Sequence, residues 1–468
     1  MDNAYLIVSD LHITEVEDHA DGWMGYKSRR FVIDEDLAAL VERFRADAVA
    51  WGGRALTLVL NGDIIDFDLV REVPARDAVA YPISGAERRY GLEPSEAKSV
   101  WKLQRILAQH PAFVDLLAGF VAAGHRVVYV LGNHDRELVF GGVQAVLRDA
   151  IVAAVSARGG SVTATEVIAF EPWFHYVADE LYVEHGNQYD TWSSFRYVLA
   201  TTAPDATGVE VVPLPMGNFA NRYLLNRMGY FNPHAGDFLQ SAGGYVSHWV
   251  RHYLFHPTRH LMLTWMWGSL LIFAGMLRNR RLTAAHAPSL HVQRRDALAA
   301  RHALPRERLA ALDALAERPV NRRLFPILRE LWLDRAIMAV VMVTATIVLA
   351  LAAIPLWLKL VIPLLVFPLA FLIYERFAYQ RIDAYEADLP ARARAIAALM
   401  HVPVVSFGHT HNALATPLGG GATFANSGTW APSWVGGDVT QPTPAKRNYI
   451  VVDARPDGHG VRVGSWMG

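Results

Sequence analysis

The chain has 468 residues, with Lys+Arg 44 against Asp+Glu 45. A formal charge of -1 offers no field for nucleic acid, and no nucleic-acid partner is expected. Hydrophobic residues at 52% and charged ones at 19% exclude disorder as the main state, and the absence of cysteine excludes disulfides, thiolate metal sites and cysteine nucleophiles.

From Met1-Asp2-Asn3-Ala4 the chain enters a short strand without a basic, apolar leader, so no signal peptide is expected. Strand-like runs at Ala4–Val8, Leu56–Leu60, Arg126–Leu131, Leu181–Glu184, Val402–Phe407 and Tyr449–Val452 alternate with helical stretches. Asp34–Val49 and Ala97–Ala123 are among the latter, which is the pattern of an α/β protein. Leu261–Leu277 is 17 residues without a charge, at the lower limit for a membrane span. Ala336–Tyr374 is 39 residues with one charge, Lys359. Pro355, Pro363 and Pro368 argue against one straight helix there, and a division between Pro355 and Lys359 predicts a helical hairpin with Lys359 at its tip. Gly419-Gly420-Gly421 reads as a turn between strands, since it lacks the Lys and following helix of a phosphate loop.

The informative pattern lies at the strand ends. Ala4–Val8 runs into Ser9-Asp10-Leu11-His12, and Leu56–Leu60 into Asn61-Gly62-Asp63-Ile64-Ile65-Asp66. Arg126–Leu131 leads to Gly132-Asn133-His134-Asp135, Leu181–Glu184 to His185-Gly186-Asn187, and Val402–Phe407 to Gly408-His409-Thr410-His411. Each strand delivers a metal-ligand type into a loop, often beside a glycine that permits close approach. Period-two alternation puts Asp10 and His12 on one side of an extended chain, and His409 and His411 likewise. Asp10, His12, Asp63, Asn133, His185, His409 and His411 make seven side chains; one bridging carboxylate turns them into four bonds to each of two metals. Nitrogen and oxygen donors without sulfur suit two divalent ions, Mn²⁺, Fe, Zn²⁺ or Mg²⁺, and do not choose among them. His125, His175 and His248 read instead as structural histidines.

All five blocks, in order, resemble the calcineurin-like metallophosphoesterases, whose pattern is D-x-H, G-D-x-x-D, G-N-H-D, H and G-H-x-H. The resemblance covers roughly residues 1–190 and 400–468. It implies an α/β fold, a four-layer α/β/β/α sandwich with the site at one end of the sheets. It also implies that Asp10, His12 and His411 hold one metal, that Asn133, His185 and His409 hold the other, and that Asp63 bridges. The reaction implied is hydrolysis of a phosphoester or diphosphate by in-line attack of a metal-bridging hydroxide, with His134 serving the leaving oxygen. Asp135 or Asp66 would orient that imidazole.

Between His185 and His409 lie 223 residues, and they carry the apolar runs. The reading is therefore a metallophosphoesterase domain in two parts, 1–190 and 401–468, around a helical, membrane-inserted insertion, 191–400, with apolar segments 261–277 and 336–374. The last motif must close the same site as the first four, so the insertion crosses a bilayer an even number of times. Arg278–Arg335 holds 13 Arg against six acids, a net of +7, which favours the cytoplasmic side. The hairpin 336–374 is then expected to span a cytoplasmic or inner membrane, with the catalytic domain facing the cytoplasm and Leu261–Leu277 lying in the interface or packed in the insertion. The competing reading is a hydrophobic helical pair buried in a homo-oligomer interface. Trp249, Tyr253, Phe255, Trp265 and Trp267 suit a membrane-interface belt.

A two-metal site beside such an insertion implies a lipid-linked phosphate substrate and a membrane partner. The alternative is an anchored phosphodiesterase or phosphatase for a soluble nucleotide or phosphoprotein. Within the family the architecture is similar to UDP-2,3-diacylglucosamine pyrophosphohydrolase-like members, which use Mn²⁺ at the inner membrane surface and also carry a helical insertion before the last His motif. That group usually has Arg where this chain has His134, and the insertion here is longer. Asn187, Gln188, Asp190, Asn218, Asn221, Arg222 and Arg227 are candidate substrate contacts.

Overall fold

The computed structural model describes residues 3–19, 23–50, 55–76, 78–164, 166–229, 250–255, 260–282, 287–320, 324–377, 384–432, 446–455 and 458–467. Trp249 and His248 lie outside them. The six strands read from the sequence are present, as β1 (Asn3–Val8), β2 (Ala55–Asn61), β3 (Arg126–Val130), β6 (Leu181–Glu184), β9 (Val404–Phe407) and β12 (Asn448–Arg455). To these the fold adds β4 (Ala169–Glu171), β5 (Phe174–Val177), a small ribbon of β7 (Ala203–Pro204) and β8 (Glu210–Val211), then β10 (Leu414–Gly419), β11 (Ala422–Asn426) and β13 (Gly458–Ser465). One sheet runs β13-β12-β1-β2-β3-β4 and a second runs β10-β11-β9-β6-β5.

Side-chain alternation makes the layers. Along β1, Ala4, Leu6 and Val8 turn to one face and pack with Leu56, Leu58 and Leu60 of β2 beneath the helices α1 (Asp34–Ala50), α3 (Glu96–Gln109), α4 (Pro111–Ala122) and α5 (Gly141–Ala157). A short capped helix, α2 (Gly85–Tyr90), precedes α3. Tyr5 and Ile7 turn the other way and meet Val183, Val404 and Ala425 of the second sheet. The far face of that sheet, with Tyr182, Val405, Phe407 and Phe424, is covered by helices Ala384–Met400, Ala287–Arg301 and Arg306–Asp313. The result is a mixed α/β molecule of two face-packed sheets between helical layers.

The strands β1, β2 and β3 are mutually parallel, and so are β6 and β9. Their carboxyl ends therefore open toward the loops that carry the motifs, where open α/β sheets place their ligands. Two expectations change. The stretch Ala97–Ala123 is two helices, because Pro111 pushes His110 out of helical geometry (φ -125°, ψ 54°) and restarts the chain at its own first turn. Tyr253 is buried beside Met228 rather than set in a belt, whereas Phe255 and Trp267 are exposed.

The apolar run 336–374 forms two helices, Leu333–Leu351 and a second that begins at Leu356 and continues through a π-helical turn, Ile362–Val366, to Phe377. The wide turn takes in Pro363 without ending the helix. Lys359 Nζ donates to Ala350 O at 2.7 Å across the tip, and at the base Arg335 Nε meets Glu375 Oε1 at 2.5 Å while the Tyr374 hydroxyl donates to Asp334. Helix Leu261–Leu282 is one-sided. Ile272, Met276 and Asn279 are buried, Asn279 Nδ2 donates to Leu214 O at 2.8 Å, and Leu263, Met266 and Trp267 are exposed.

Candidate metal centre

The motif residues converge, by a route that alternation did not anticipate. The strands stop before the ligands, and Asp10, His12, Asp63, His409 and His411 all lie in left-handed backbone, at φ 54°, 49°, 53°, 67° and 62°. Five side-chain-bearing residues in a region that favours glycine mark a loop cluster held by its surroundings. Backbone bonds supply the hold: Asp10 N to Gly62 O at 3.1 Å, His12 N to Asp63 O at 3.0 Å and Gly408 N to His185 O at 2.9 Å. His409 and His411 consequently diverge to different groups instead of sharing a side.

One group is Asp10, His12 and His411; a second is Asp63, His185 and His409, the ligating atoms of each lying within 4.8 Å of one another. His185 Nδ1 faces Asn61 O at 2.9 Å, so that nitrogen carries the proton and Nε2, 3.0 Å from Asp63 Oδ2, is the basic one. Asn133 donates through Nδ2 to Asn218 Oδ1 at 3.3 Å, which leaves its own Oδ1 aimed elsewhere. The buried Asn133 Oδ1 makes no hydrogen bond, and Asp10 Oδ1 and His185 Nε2 face only other atoms of the cluster, His411 Nε2 at 3.2 Å and Asp63 Oδ2 at 3.0 Å. Buried carboxylate, amide and imidazole atoms that converge on one another in this way are what divalent cations require. Tight glycines complete the cradle. A Cβ on Gly62 would lie 2.5 Å from the His185 ring, on Gly132 2.2 Å from Asp63 Oδ1, and on Gly408 2.6 Å from Asp10 Oδ2.

Electrostatics fit the same use. Burial opposes ionisation of Asp10, but His185 and His411 outweigh it and hold the carboxyl at about 2. Asp63 is likewise kept well below the usual range by His185 and His134 against its burial. His185, despite burial, is pushed up to about 9 by Asp63 and Asp10, while burial lowers His12.

His134 stands beside His12 of the first group, their ring centroids 5.1 Å apart, and the two imidazoles cluster with Asp66. His134 Nδ1 lies 3.2 Å from Asp66 Oδ2 and 3.2 Å from Asp68 Oδ2. Of the two orienting residues expected, Asp66 is therefore the one in place, and it also meets His12 Nδ1 at 3.0 Å. Asp135 instead accepts from Tyr129 Oη at 2.8 Å, Ile64 N at 3.0 Å and Gly132 N at 2.6 Å, so it braces the loop that carries Asn133. Burial and the neighbouring Asp63 push its carboxyl up to about 7. Asp68 escapes sequence reasoning because it falls outside the motif; a turn in which Asp68 N donates to Asp66 Oδ1 at 2.9 Å brings it to the site.

The candidate substrate contacts divide. Asn187 and Gln188 bond within their own loop, to Ser193 O at 2.9 Å and Phe195 O at 3.1 Å. Asp190 Oδ2 reaches His409 Nε2 at 3.2 Å. Asn218 and Asn221 reach Asn133 and His134, and Arg222 donates to Gly91 O at 2.6 Å.

Two face-packed sheets with Asp, Asn and His converging at their carboxyl ends define a metal-dependent phosphoester hydrolase. Residues 4–243 match the family model for calcineurin-like phosphoesterases, more than half of the chain, and the chain belongs to that family. No curated protein matches it.

Proposed function

We propose that this protein hydrolyses a phosphoester or pyrophosphate bond of a lipid-linked substrate at a membrane surface. The observation that carries this reading is the presence, in the same chain as the metal centre, of two helices long and apolar enough to cross a membrane. Leu333–Leu351 has a mean hydropathy of 1.9 with 17% of its apolar window buried, and Leu356–Arg376 has 2.4 with 0%. A core helix of a soluble protein would be covered. Here seventeen large apolar side chains between Ile337 and Ile373 are exposed. At about 1.5–3 kcal/mol each, covering them is worth more than the ~5–15 kcal/mol that holds a typical domain folded. A bilayer supplies that cover, and the +7 segment before the hairpin favours the cytoplasmic leaflet on the catalytic side.

In the chemistry, Asp10, His12 and His411 would hold one divalent ion and Asn133, His185 and His409 another, with Asp63 within reach of both and Mn²⁺ the expected metal. Ions bound there supply charge neutralisation for the phosphoryl oxygens and lower the pKa of water enough for attack at neutral pH. His134, steadied by Asp66 and Asp68, gives its Nε2 proton to the leaving oxygen. The helical hairpin holds the site at the depth of a lipid headgroup, and a phosphate or diphosphate carried on a lipid fits the anionic demand of the centre.

The test is hydrolysis, by detergent-purified Mn²⁺-loaded protein, of a nucleoside-diphospho-lipid against the matching nucleoside-diphospho-sugar, with Asp63→Asn as the inactive control. Much faster cleavage of the lipid form supports the reading; equal rates leave the hairpin as a mere anchor and move soluble substrates ahead. Release of the wild-type protein from membranes by carbonate would count against spanning.

A further inference from the structure

His134 is held at both ends of its ring. Nδ1 faces the two carboxylates, and Nε2 lies 3.2 Å from Nδ2 of Asn221, a residue of the segment between the fourth and fifth motifs and itself 6% exposed. With the Nδ1 proton directed at Asp66 and Asp68, Nε2 faces the Asn221 side-chain amide, which accepts from a protonated Nε2 through its carbonyl and, turned over, donates to it once the proton has left. We propose that Asn221 is a positioning residue that sets the His134 imidazole for proton transfer to the leaving group. This rests on the reading of His134 as the proton donor.

The helix that bears Asn221 is built for this depth. Helix α6 (Met216–Ala220) runs into a π-helical turn, Asn221–Leu225, and on into Asn226–Met228. In an unbroken α-helix residues 218, 221, 222 and 225 would share a face. The π turn inserts one residue, so Asn226 takes the place of Leu225, and Asn226 is buried where Leu225 is only partly covered. The face so made is polar and turned to the catalytic loops. Asn218 donates to Asp68 and to Asn133 O, and Asn226 donates to Asp68 O at 2.8 Å. Behind it, helix Leu261–Leu282 approaches so closely that a Cβ on Gly268 would lie 2.9 Å from Tyr223 O and one on Gly275 3.0 Å from the Phe219 ring. Asn221 is thus carried on a clamped helix, not on a free loop.

Asparagine suits the role chemically. Its amide presents N–H to an unprotonated Nε2 and, turned over, its carbonyl to a protonated one, so it steadies the ring before and after the proton leaves. Asn221 then matters only as far as the leaving group needs that proton.

The experiment uses the Mn²⁺-loaded full chain in detergent with bis(4-nitrophenyl) phosphate, whose leaving group needs little protonation, and diphenyl phosphate, whose leaving group needs more. Asn221→Ala is expected to lower kcat on diphenyl phosphate roughly tenfold and on the nitrophenyl ester less than about twofold, with metal content and KM unchanged. In a His134→Gln background the same substitution adds nothing on either ester. Equal slowing of both esters, or an undiminished loss without His134, overturns the proposal. Asn221→Leu keeps the side chain's approximate shape without its hydrogen-bonding atoms and carries the same comparison where truncation releases the helix. If His134→Gln itself slows both esters alike, the proton-donor reading falls and the proposal with it. If His134→Gln shows the leaving-group dependence and the Asn221 variants do not, the proposal alone falls.

Discussion

His12 and His411 face each other Nε2 to Nε2 at 3.3 Å across 399 residues of chain, with Asp10 Oδ1 3.2 Å from the same His411 nitrogen. The Asp66 carboxylate on His12 Nδ1 fixes that ring's proton on the far side, so the inward Nε2 presents its lone pair to the group. Two imidazoles and a carboxylate so arranged gain most from a shared cation. Removing divalent metal with a chelator is therefore expected to abolish hydrolysis and to lower the melting temperature. Restoring Mn²⁺ to about 100 times its dissociation constant returns ~2.7 kcal/mol of stability. Asp10→Asn keeps the fold but loses about half of that metal-induced shift, read by thermal melts with and without Mn²⁺ and by metal content.

Gly132 lies against Asp63, and its missing side chain is a geometric requirement. A Cβ there would sit 2.2 Å from Asp63 Oδ1, the atom that also accepts His134 N at 2.8 Å. Gly132→Ala is expected to displace the shared carboxylate, cutting activity at least ~100-fold and lowering bound metal, at a cost of about 1–3 kcal/mol in stability. Gly420→Ala is the control. It occupies left-handed backbone at φ 62° with nothing near its would-be Cβ, so it strains the β10–β11 turn and leaves activity alone. Equal activity of the two variants would show that the close approach of Gly132 to Asp63 has no bearing on the metal centre.

Asp63 and Asn221 differ in how far the sequence discloses them. Asp63 is legible because strand, glycine and acid follow one another locally, and five such local patterns in order carry a geometry larger than any one of them. The left-handed loops are not legible, since nothing in Asp10 or His409 as a residue type announces positive φ; the backbone bonds to Gly62 and the packing around Gly408 impose it. Nor can the sequence decide between Asp66 and Asp135, which are both acids near His134 and differ only in where their loops turn. Asn221 is legible only as a polar residue of the run after the fourth motif, a candidate substrate contact, and nothing local marks it as a partner of His134. A polar residue on a helix is ordinarily solvated, and the π turn that brings it inward leaves no pattern of its own.

Lys102 and Glu137 form an ion pair at 3.1 Å with side chains 2% and 1% exposed, and Lys102 Nζ also donates to Phe67 O at 3.3 Å. Burial raises the Glu137 carboxyl above its usual range, and Lys102 works against that rise. Lys102→Met strands the carboxylate, at an expected cost of about 3–5 kcal/mol at neutral pH. Because Glu137 takes up a proton more readily once Lys102 is gone, the cost shrinks as pH falls. Lys102→Met with Glu137→Leu is expected to recover most of it, as measured by chemical denaturation of the three proteins. A single variant as stable as wild type at pH 7 would show the pair to be solvated.

His175 gives the fold a pH dependence separate from the metal centre. It lies on β5 opposite Val183, its Nε2 buried without a hydrogen bond. Burial first, and then Arg126, His302 and Arg301, push its pKa down to about 4. Between that value and the ordinary histidine range the unfolded chain takes a proton that the folded one refuses, so stability falls as pH drops through about 6.5 and levels off below about 4. The expected loss from this one group between pH 7 and pH 5 is ~1–2 kcal/mol. His175→Phe removes the titration while keeping an aromatic ring beside Phe174, so its denaturation midpoint declines less over that interval than the wild type's. Parallel curves for the two proteins would mean that the ring is already protonated in the folded state, or that water reaches it.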